Sequence, residues 1–169
     1  MSEDPRERFQ QILGSFTEGM LVTREESDSL RGRPMRVAHV DSDADLWFTT
    51  KIPSGKTADI RQHEQVAVVF QDNGRYLTVS GSASITDDRE KIRSLWQESW
   101  KVWFPGGQDD PELGLLHVEA SHGEYWDNSG ARGLAYAIRA GHAYWVGDTP
   151  DIPEGMNAKV DLETSGSKS

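Results

Sequence analysis

The sequence predicts a mainly β protein: an antiparallel sheet of about six strands closed into a small barrel, with helices at its periphery. Three observations carry this. Strand-like runs succeed one another at Met20–Thr23, Arg33–Val40, Leu46–Lys51, Val66–Phe70, Tyr76–Thr86 and Leu113–Asp127. One join, Asp72-Asn73-Gly74-Arg75, is a strong hairpin turn, because Asn-Gly tolerates positive φ at both central positions. Most strands have no long crossover helix between them. That excludes a doubly wound α/β fold and favours closure of the sheet on itself.

The elements follow in order. Asp4-Pro5-Arg6-Glu7 starts a helix, with Asp4 as N-cap, Pro5 in the first turn and Glu7 closing a capping box. Phe9, Ile12, Leu13 and Phe16 then make one apolar helical face, and Gly19 ends the unit. A strand at Met20–Thr23 leads through a polar loop, Arg24 to Gly32, into the strand Arg33–Val40. Asp41 to Asp45 turns the chain into Leu46–Lys51. A short helix covers Thr57 to His63. Val66-Ala67-Val68-Val69-Phe70 is apolar throughout and is expected to be buried on both faces. After the hairpin and the long strand Tyr76–Thr86, Asp87-Asp88-Arg89-Glu90 starts a helix, with Glu90 three residues after Asp87. Its inner face is Ile92, Leu95, Trp96, Ser99 and Trp103. Phe104 to Pro111 breaks it, and Leu113 to Asp127 is one long or bulged strand. A helix over Gly133–Val146 and a short strand within Met156–Leu162 complete the order. Residues 1–163 read as one domain and 164–169 as a disordered tail.

Composition narrows the function. The 169 residues are enough to bury a real core. A net charge of −10 argues against nucleic acid and against an acidic membrane surface as partners. No apolar run is long enough to span a membrane, and the N-terminus has no secretory pattern, so a cytoplasmic location is expected. There are no cysteines, which excludes disulfides and thiolate chemistry. Six tryptophans are a surplus that suits a planar ligand as well as a core.

The most informative segment is Leu46 to Ile60. A β-branched and aromatic strand ends in Thr49-Thr50, and Pro53-Ser54-Gly55-Lys56-Thr57 then opens a helix. Backbone N–H groups, a helix N-terminus and a lysine in one turn suit a phosphate. The Gly-Lys-Thr ending resembles a nucleotide triphosphate loop, but that motif needs glycine at residue 50, where this chain has threonine. Lys56 is read as a phosphate ligand in preference to a solvated helix-start lysine. Ser54 serves as N-cap, as ligand, or as both. Strand alternation turns one of Thr49 and Thr50 inward. Arg33 and Arg36 share a face only if the strand is bulged between them. Met35 reads first as core. Trp103 and Phe104 either stack on a ligand or close the core under the Pro-Gly-Gly loop. His117 and Glu119 share a strand face with His122 nearby, but no ligand geometry follows, so no metal is assigned. Neither a Ser-His-Asp order nor a paired-acid signature stands out, and the catalytic residues stay unassigned.

Four motifs in order carry a resemblance. They are Gly32-Arg33-Pro34-Met35; Leu46-Trp47-Phe48-Thr49-Thr50 with Lys56 six residues on; Val79-Ser80-Gly81-Ser82-Ala83 before Asp87-Asp88-Arg89-Glu90-Lys91-Ile92; and Trp103-Phe104-Pro105-Gly106-Gly107 with Asp109-Asp110-Pro111, ending in Glu124-Tyr125-Trp126-Asp127. Across residues 5 to 130 the chain resembles the FMN-binding split barrels of the pyridoxamine 5'-phosphate oxidase-like superfamily, and within it the general stress protein 26 group. The resemblance implies a six-stranded split barrel and a homodimer with FMN, or FAD, at the interface. It implies main-chain contacts to the flavin from Arg33, Pro34, Met35, Arg36 and Val37. Thr49 and Thr50 would meet the ribityl chain and phosphate, and Lys56 with Ser54 would hold the phosphate. Gly55 stands where the pyridoxamine phosphate oxidases often carry arginine, and their C-terminal tryptophan and arginine have no match here. Oxidation of pyridoxamine phosphate is therefore not carried over. The function implied is a general-stress flavoprotein, as an oxidoreductase fed by a small molecule or nicotinamide. The alternatives are a flavin-storing or sensing module without turnover, or a barrel holding deazaflavin F420 or haem.

Overall fold

Asp4 caps the first helix as its sequence suggests: its carboxylate accepts the Arg6 N–H, and Pro5 opens α1 (Pro5–Leu13). The computed structural model describes residues 4–147, 149–153 and 155–163. The tail expected to be disordered, 164–169, lies outside the described residues. Helix α1 stops at Gly14 rather than Gly19. The N–H groups of Ser15 and Phe16 turn back to the carbonyls of Ile12 and Leu13, and the Ser15 hydroxyl also donates to Ile12. Gly19 instead lies in β1 (Glu18–Arg24), where a Cβ would come within 2.6 Å of the Phe70 ring.

Both ends of the expected loop 24–32 are strand. β2 (Leu30–Val40) pairs with β1 from Arg24↔Leu30 to Glu18↔Arg36, leaving only residues 25–29 to turn. Asp28 takes the positive φ of that turn, at 64°. The error has a simple cause: this end of the hairpin is exposed on both faces, so no apolar alternation marks it. β3 (Leu46–Lys51), α2 (Gly55–Gln62), β4 (Gln65–Asp72) and β5 (Arg75–Thr86) follow. Asn73 and Gly74 both have positive φ in the β4–β5 turn, as Asn-Gly predicts. β4 is not buried on both sides. Val66, Val68 and Phe70 point inward, whereas Val69 is exposed on the outer face.

α3 (Arg89–Leu95) is capped by Asp88, one residue later than expected; its carboxylate accepts the Glu90 and Lys91 N–H groups. Trp96 then takes an extended conformation, so helical phase is lost and restarts in a 3-10 turn over Glu98–Val102. Trp100 therefore faces inward in place of Trp103. A second 3-10 turn, Gly107–Asp109, precedes β6 (Leu113–Asp127). α4 (Gly130–Val146) and β7 (Asn157–Asp161) complete the order. No described helix is long and apolar enough to cross a membrane.

The sheet runs β3-β2-β1-β4-β5-β6-β7, and β3 also pairs with β6, closing β1 to β6 into a six-stranded antiparallel barrel. The barrel is split along β6. One edge of β6 pairs with β5 from Leu115 to Asp127. The other edge is divided between β3, over Leu113–Val118, and β7, over His122–Trp126. Asp45 fills the gap between them. Its Oδ1 accepts the Ala120 N–H at 2.9 Å and its Oδ2 lies 3.0 Å from His117 Nε2. The barrel interior packs Leu21, Phe48, Val68, Phe70, Leu77 and Val118, closed at one end by Phe9, Ile12 and Leu13 of α1. A second cluster outside the barrel joins Ile92, Trp100 and Phe104 to Leu113 and Leu115 of β6.

Gly123 sets how closely α1 can approach the barrel. A Cβ there would stand 2.4 Å from the Phe9 ring, which is wholly buried. Neither the ring nor the strand has space to yield, so overpacking is the expected response. Gly123→Ala is expected to destabilise the fold by about 2–3 kcal/mol. A urea midpoint unchanged from wild type would show that α1 is free to shift.

Candidate functional site

The site is built around the N-terminus of α2. Ser54 and Thr57 form a reciprocal capping box: the Ser54 Oγ accepts the Thr57 N–H at 3.4 Å, and the Thr57 Oγ1 accepts the Ser54 N–H at 3.2 Å. The Thr57 hydroxyl also lies 2.6 Å from the Ile52 carbonyl, which pins the turn after β3. The helix therefore opens at a fixed place, and its positive end points at whatever lies beside Gly55 and Lys56.

Arg33 reaches this point from β2. Its guanidinium donates to the buried Thr23 hydroxyl at 2.6 Å and to the Asp59 carboxylate at 2.8 Å. It stands so near the start of α2 that a Cβ on Gly55 would lie 3.9 Å from its Nη2. The position that lacks arginine in the sequence thus has a guanidinium beside it, delivered from another strand. Lys56 is half-buried next to it. Burial, and then the charge of Arg33, lower its amine below the usual lysine value. Two cations and a helix N-terminus converge with Asp59 as the carboxylate bonded to Arg33. Such an arrangement has the chemistry to hold an anion.

The other expected site residues separate into groups. Thr49 is half-buried on the outer row of β3, while Thr50 turns inward with Leu46 and Phe48. The β1–β2 register runs without interruption past Arg33 and Arg36, so these two point to opposite faces; the bulge lies between Val37 and His39 instead. Arg36 and Pro34 are exposed, whereas Met35 belongs to the barrel core and Val37 packs against it. Trp103 is 52% exposed and Phe104 only 3%. Phe104 therefore closes the core beneath the Pro-Gly-Gly loop and presents no free ring face to a ligand.

Sequence reading missed Thr23 and Asp59, which aim Arg33. It also missed a second network on the outside of β2, β3 and β6. The Trp47 ring stacks on His117 with centroids 4.1 Å apart, and Lys91 Nζ lies 4.3 Å from the Trp47 centroid. Asp41 accepts from Trp47 Nε1 at 2.6 Å and pairs with His39. Trp47 and His117 face each other across the β3–β6 pairing, a contact that no local sequence signal announces. Among the described residues, no group of three or more His, Asp or Glu side chains could hold a metal ion.

A closed antiparallel barrel that splits along one strand, with Arg33 and Lys56 at the helix after β3, defines the chain as a split β-barrel protein. Residues 4–151 match the family described as pyridoxamine 5'-phosphate oxidase like, and the chain belongs to that family. A solved general stress protein 26 from Jannaschia sp. CCS1 is similar at 26% identity and a TM-score of 0.68, covering 94% of this chain and 98% of that one. The general stress FMN/FAD binding protein of Xanthomonas citri shares the fold, with 23% identity and a TM-score of 0.65 over 75% of this chain and 92% of its own. Protein bli-3 of Neurospora crassa is 33% identical over 118 residues, 63% of this chain. The match covers 56% of bli-3, so the chain spans little more than half the length of that curated relative.

Proposed function

We propose that this chain is an FMN-binding flavoprotein of the general stress type, working as an oxidoreductase with a small-molecule or nicotinamide electron donor. The observation that carries the reading is the convergence of Arg33 and Lys56 on the N-terminus of α2. The donor set fits the phosphate of FMN: a guanidinium and an ammonium for charge, and helix N–H groups for orientation. FAD satisfies the same cradle if its adenylate end leaves toward solvent. A solved relative with this fold is named for binding FMN or FAD, which supports the assignment.

When bound, the flavin supplies electron and hydride transfer, and the protein supplies binding and orientation. Lys56 and Arg33 hold the phosphate, with Ser54 at the helix cap beside them. Thr49, on the outer row of β3, would meet the ribityl chain. The main chain of β2 from Arg33 to Val37 would contact the flavin, with the Met35 side chain remaining in the core. Trp103 would offer its exposed aromatic face, while Phe104 stays buried in the cluster with Trp100. The active form is a homodimer with the flavin at the interface.

The test is an absorbance spectrum of the purified protein, followed by anaerobic mixing with NADH and with NADPH. A yellow protein that a nicotinamide bleaches is the expected result. A flavin that stays oxidised with both would leave a binding or storage module. A deazaflavin or haem spectrum would replace FMN altogether.

A further inference from the structure

We infer that Lys56 is a modification site for carbon dioxide: its amine takes up CO2 as a carbamate, which the Arg33 guanidinium holds. The effect on ligand binding rests on the phosphate reading proposed above; the chemistry at the amine does not. The first observation is that Lys56 stands where an ammonium is disfavoured. It is half-buried, and it is the second residue of α2, where the helix dipole opposes a cation and favours an anion. Arg33 lies against the same turn, 3.9 Å from where a Cβ on Gly55 would be. The second observation is the lack of a counter-charge. Lys51 and Lys101 pair with Glu112 and Glu98, and Lys91 lies over the Trp47 ring. No carboxylate among the described residues forms an ion pair with Lys56. Asp59, three residues further along the helix, is the carboxylate placed to do so. It accepts from Arg33 instead, at 2.8 Å, and from the Thr23 hydroxyl at 3.4 Å.

An ordinary lysine is almost wholly protonated near neutral pH and is a poor nucleophile. Burial, and then Arg33, lower the Lys56 amine, so more of it is neutral. The step is balanced without any redox partner. The nitrogen lone pair attacks the carbon of CO2 and an N–C bond forms. One C–O π bond opens onto oxygen, and a proton leaves the nitrogen for water. The product is a carbamate monoanion, flat and two-oxygened like a carboxylate, which suits the guanidinium fork. The helix end and Arg33, which oppose the ammonium, both favour this anion. Thr23 keeps the guanidinium in place through a 2.6 Å hydrogen bond. Uptake is reversible and turns the charge of residue 56 from positive to negative. A carbamate and a bound phosphate therefore exclude one another.

The test is carbon-13 NMR of the purified chain with labelled bicarbonate near neutral pH, in a buffer free of phosphate. A carbamate signal that disappears in Lys56→Gln is expected; any signal from the terminal amine stays in that variant and serves as the control. Added inorganic phosphate should remove the same signal. Arg33→Gln should lower it by about 10-fold or more, the worth of a hydrogen bond between charged groups. Asp59→Asn touches the same network but takes a negative charge away from the carbamate, so it should keep the signal, which a merely disruptive change would not. Absence of a Lys56-dependent signal overturns the inference, as does a signal that Arg33→Gln leaves intact or that Asp59→Asn abolishes. FMN is read separately, by titration with bicarbonate or with chloride at equal ionic strength. Bicarbonate is expected to weaken FMN binding. A carbamate with FMN affinity unmoved leaves the chemistry at Lys56 standing and removes the phosphate from it. FMN binding that needs Lys56, with no carbamate signal, does the reverse.

Discussion

Lys56→Ala is expected to weaken FMN binding by about 10- to 100-fold and to leave riboflavin binding within about two-fold. The two ligands differ only in the phosphate, so the ratio isolates the cradle. A hydrogen bond to a charged group contributes roughly 1.5–3 kcal/mol, which sets the range. The sign of the pH dependence follows from the two titrating partners. Burial, and then Arg33, lower the Lys56 amine, so the unliganded site holds its proton less firmly than a free lysine. A phosphate dianion reverses that and draws the proton back. FMN affinity should therefore fall as pH rises through the lowered lysine value, and fall again below about pH 6, where the phosphate takes its second proton. Lys56→Ala should lose the alkaline limb and keep the acidic one. Asp59→Asn should act differently: it frees the Arg33 guanidinium from its 2.8 Å partner and costs orientation rather than charge. Equal losses of FMN and riboflavin in Lys56→Ala, measured by fluorescence titration, would remove the phosphate from this cradle.

The barrel was legible because its strands alternate strongly and Asn73-Gly74 announces a hairpin. The start of α2 was legible for the same local reason, since Ser54, Gly55, Lys56 and Thr57 are contiguous and their capping chemistry is short-range. Arg33 was placed on the right strand, but its task could not be read. Its geometry depends on Thr23 from β1 and Asp59 from α2, and these meet only when the barrel closes over α2. The aromatic region failed differently. Helical periodicity was carried across Trp96, where the backbone leaves the helix, so the inward role passed from Trp103 to Trp100. The all-apolar β4 was read as buried on both faces because a sequence cannot say whether an apolar face is covered by its own chain or by another.

Asp127→Asn is expected to lower stability by about 3 kcal/mol near neutral pH, because it removes one member of a buried ion pair. Asp127 is almost fully buried at the end of β6, where four elements meet. Its carboxylate pairs with Arg8 of α1 and accepts both the N–H and the hydroxyl of Ser129 ahead of α4. Its own N–H donates to the Met156 carbonyl before β7. Burial pushes the carboxyl upward, but the bonds from Ser129 and then Arg8 outweigh it and hold it below the usual aspartate value. A depressed carboxylate contributes stability that is fully present above its unfolded value, near pH 4, and drains away as pH falls through the folded one. Wild type should therefore lose stability below about pH 4 more steeply than Asp127→Asn, and the two curves should converge in acid. Arg8 adds a constraint of its own, because its Nε is buried without a hydrogen-bond partner. With Asp127 neutral, that guanidinium is left uncompensated. Replacing Arg8 by methionine in the Asp127→Asn background should then recover part of the loss, while Arg8→Met alone destabilises. Urea unfolding of the four proteins closes the cycle, and a coupling energy of about 1 kcal/mol or more is expected. Additive losses would mean that the Ser129 cap alone, without the ion pair, holds the end of β6.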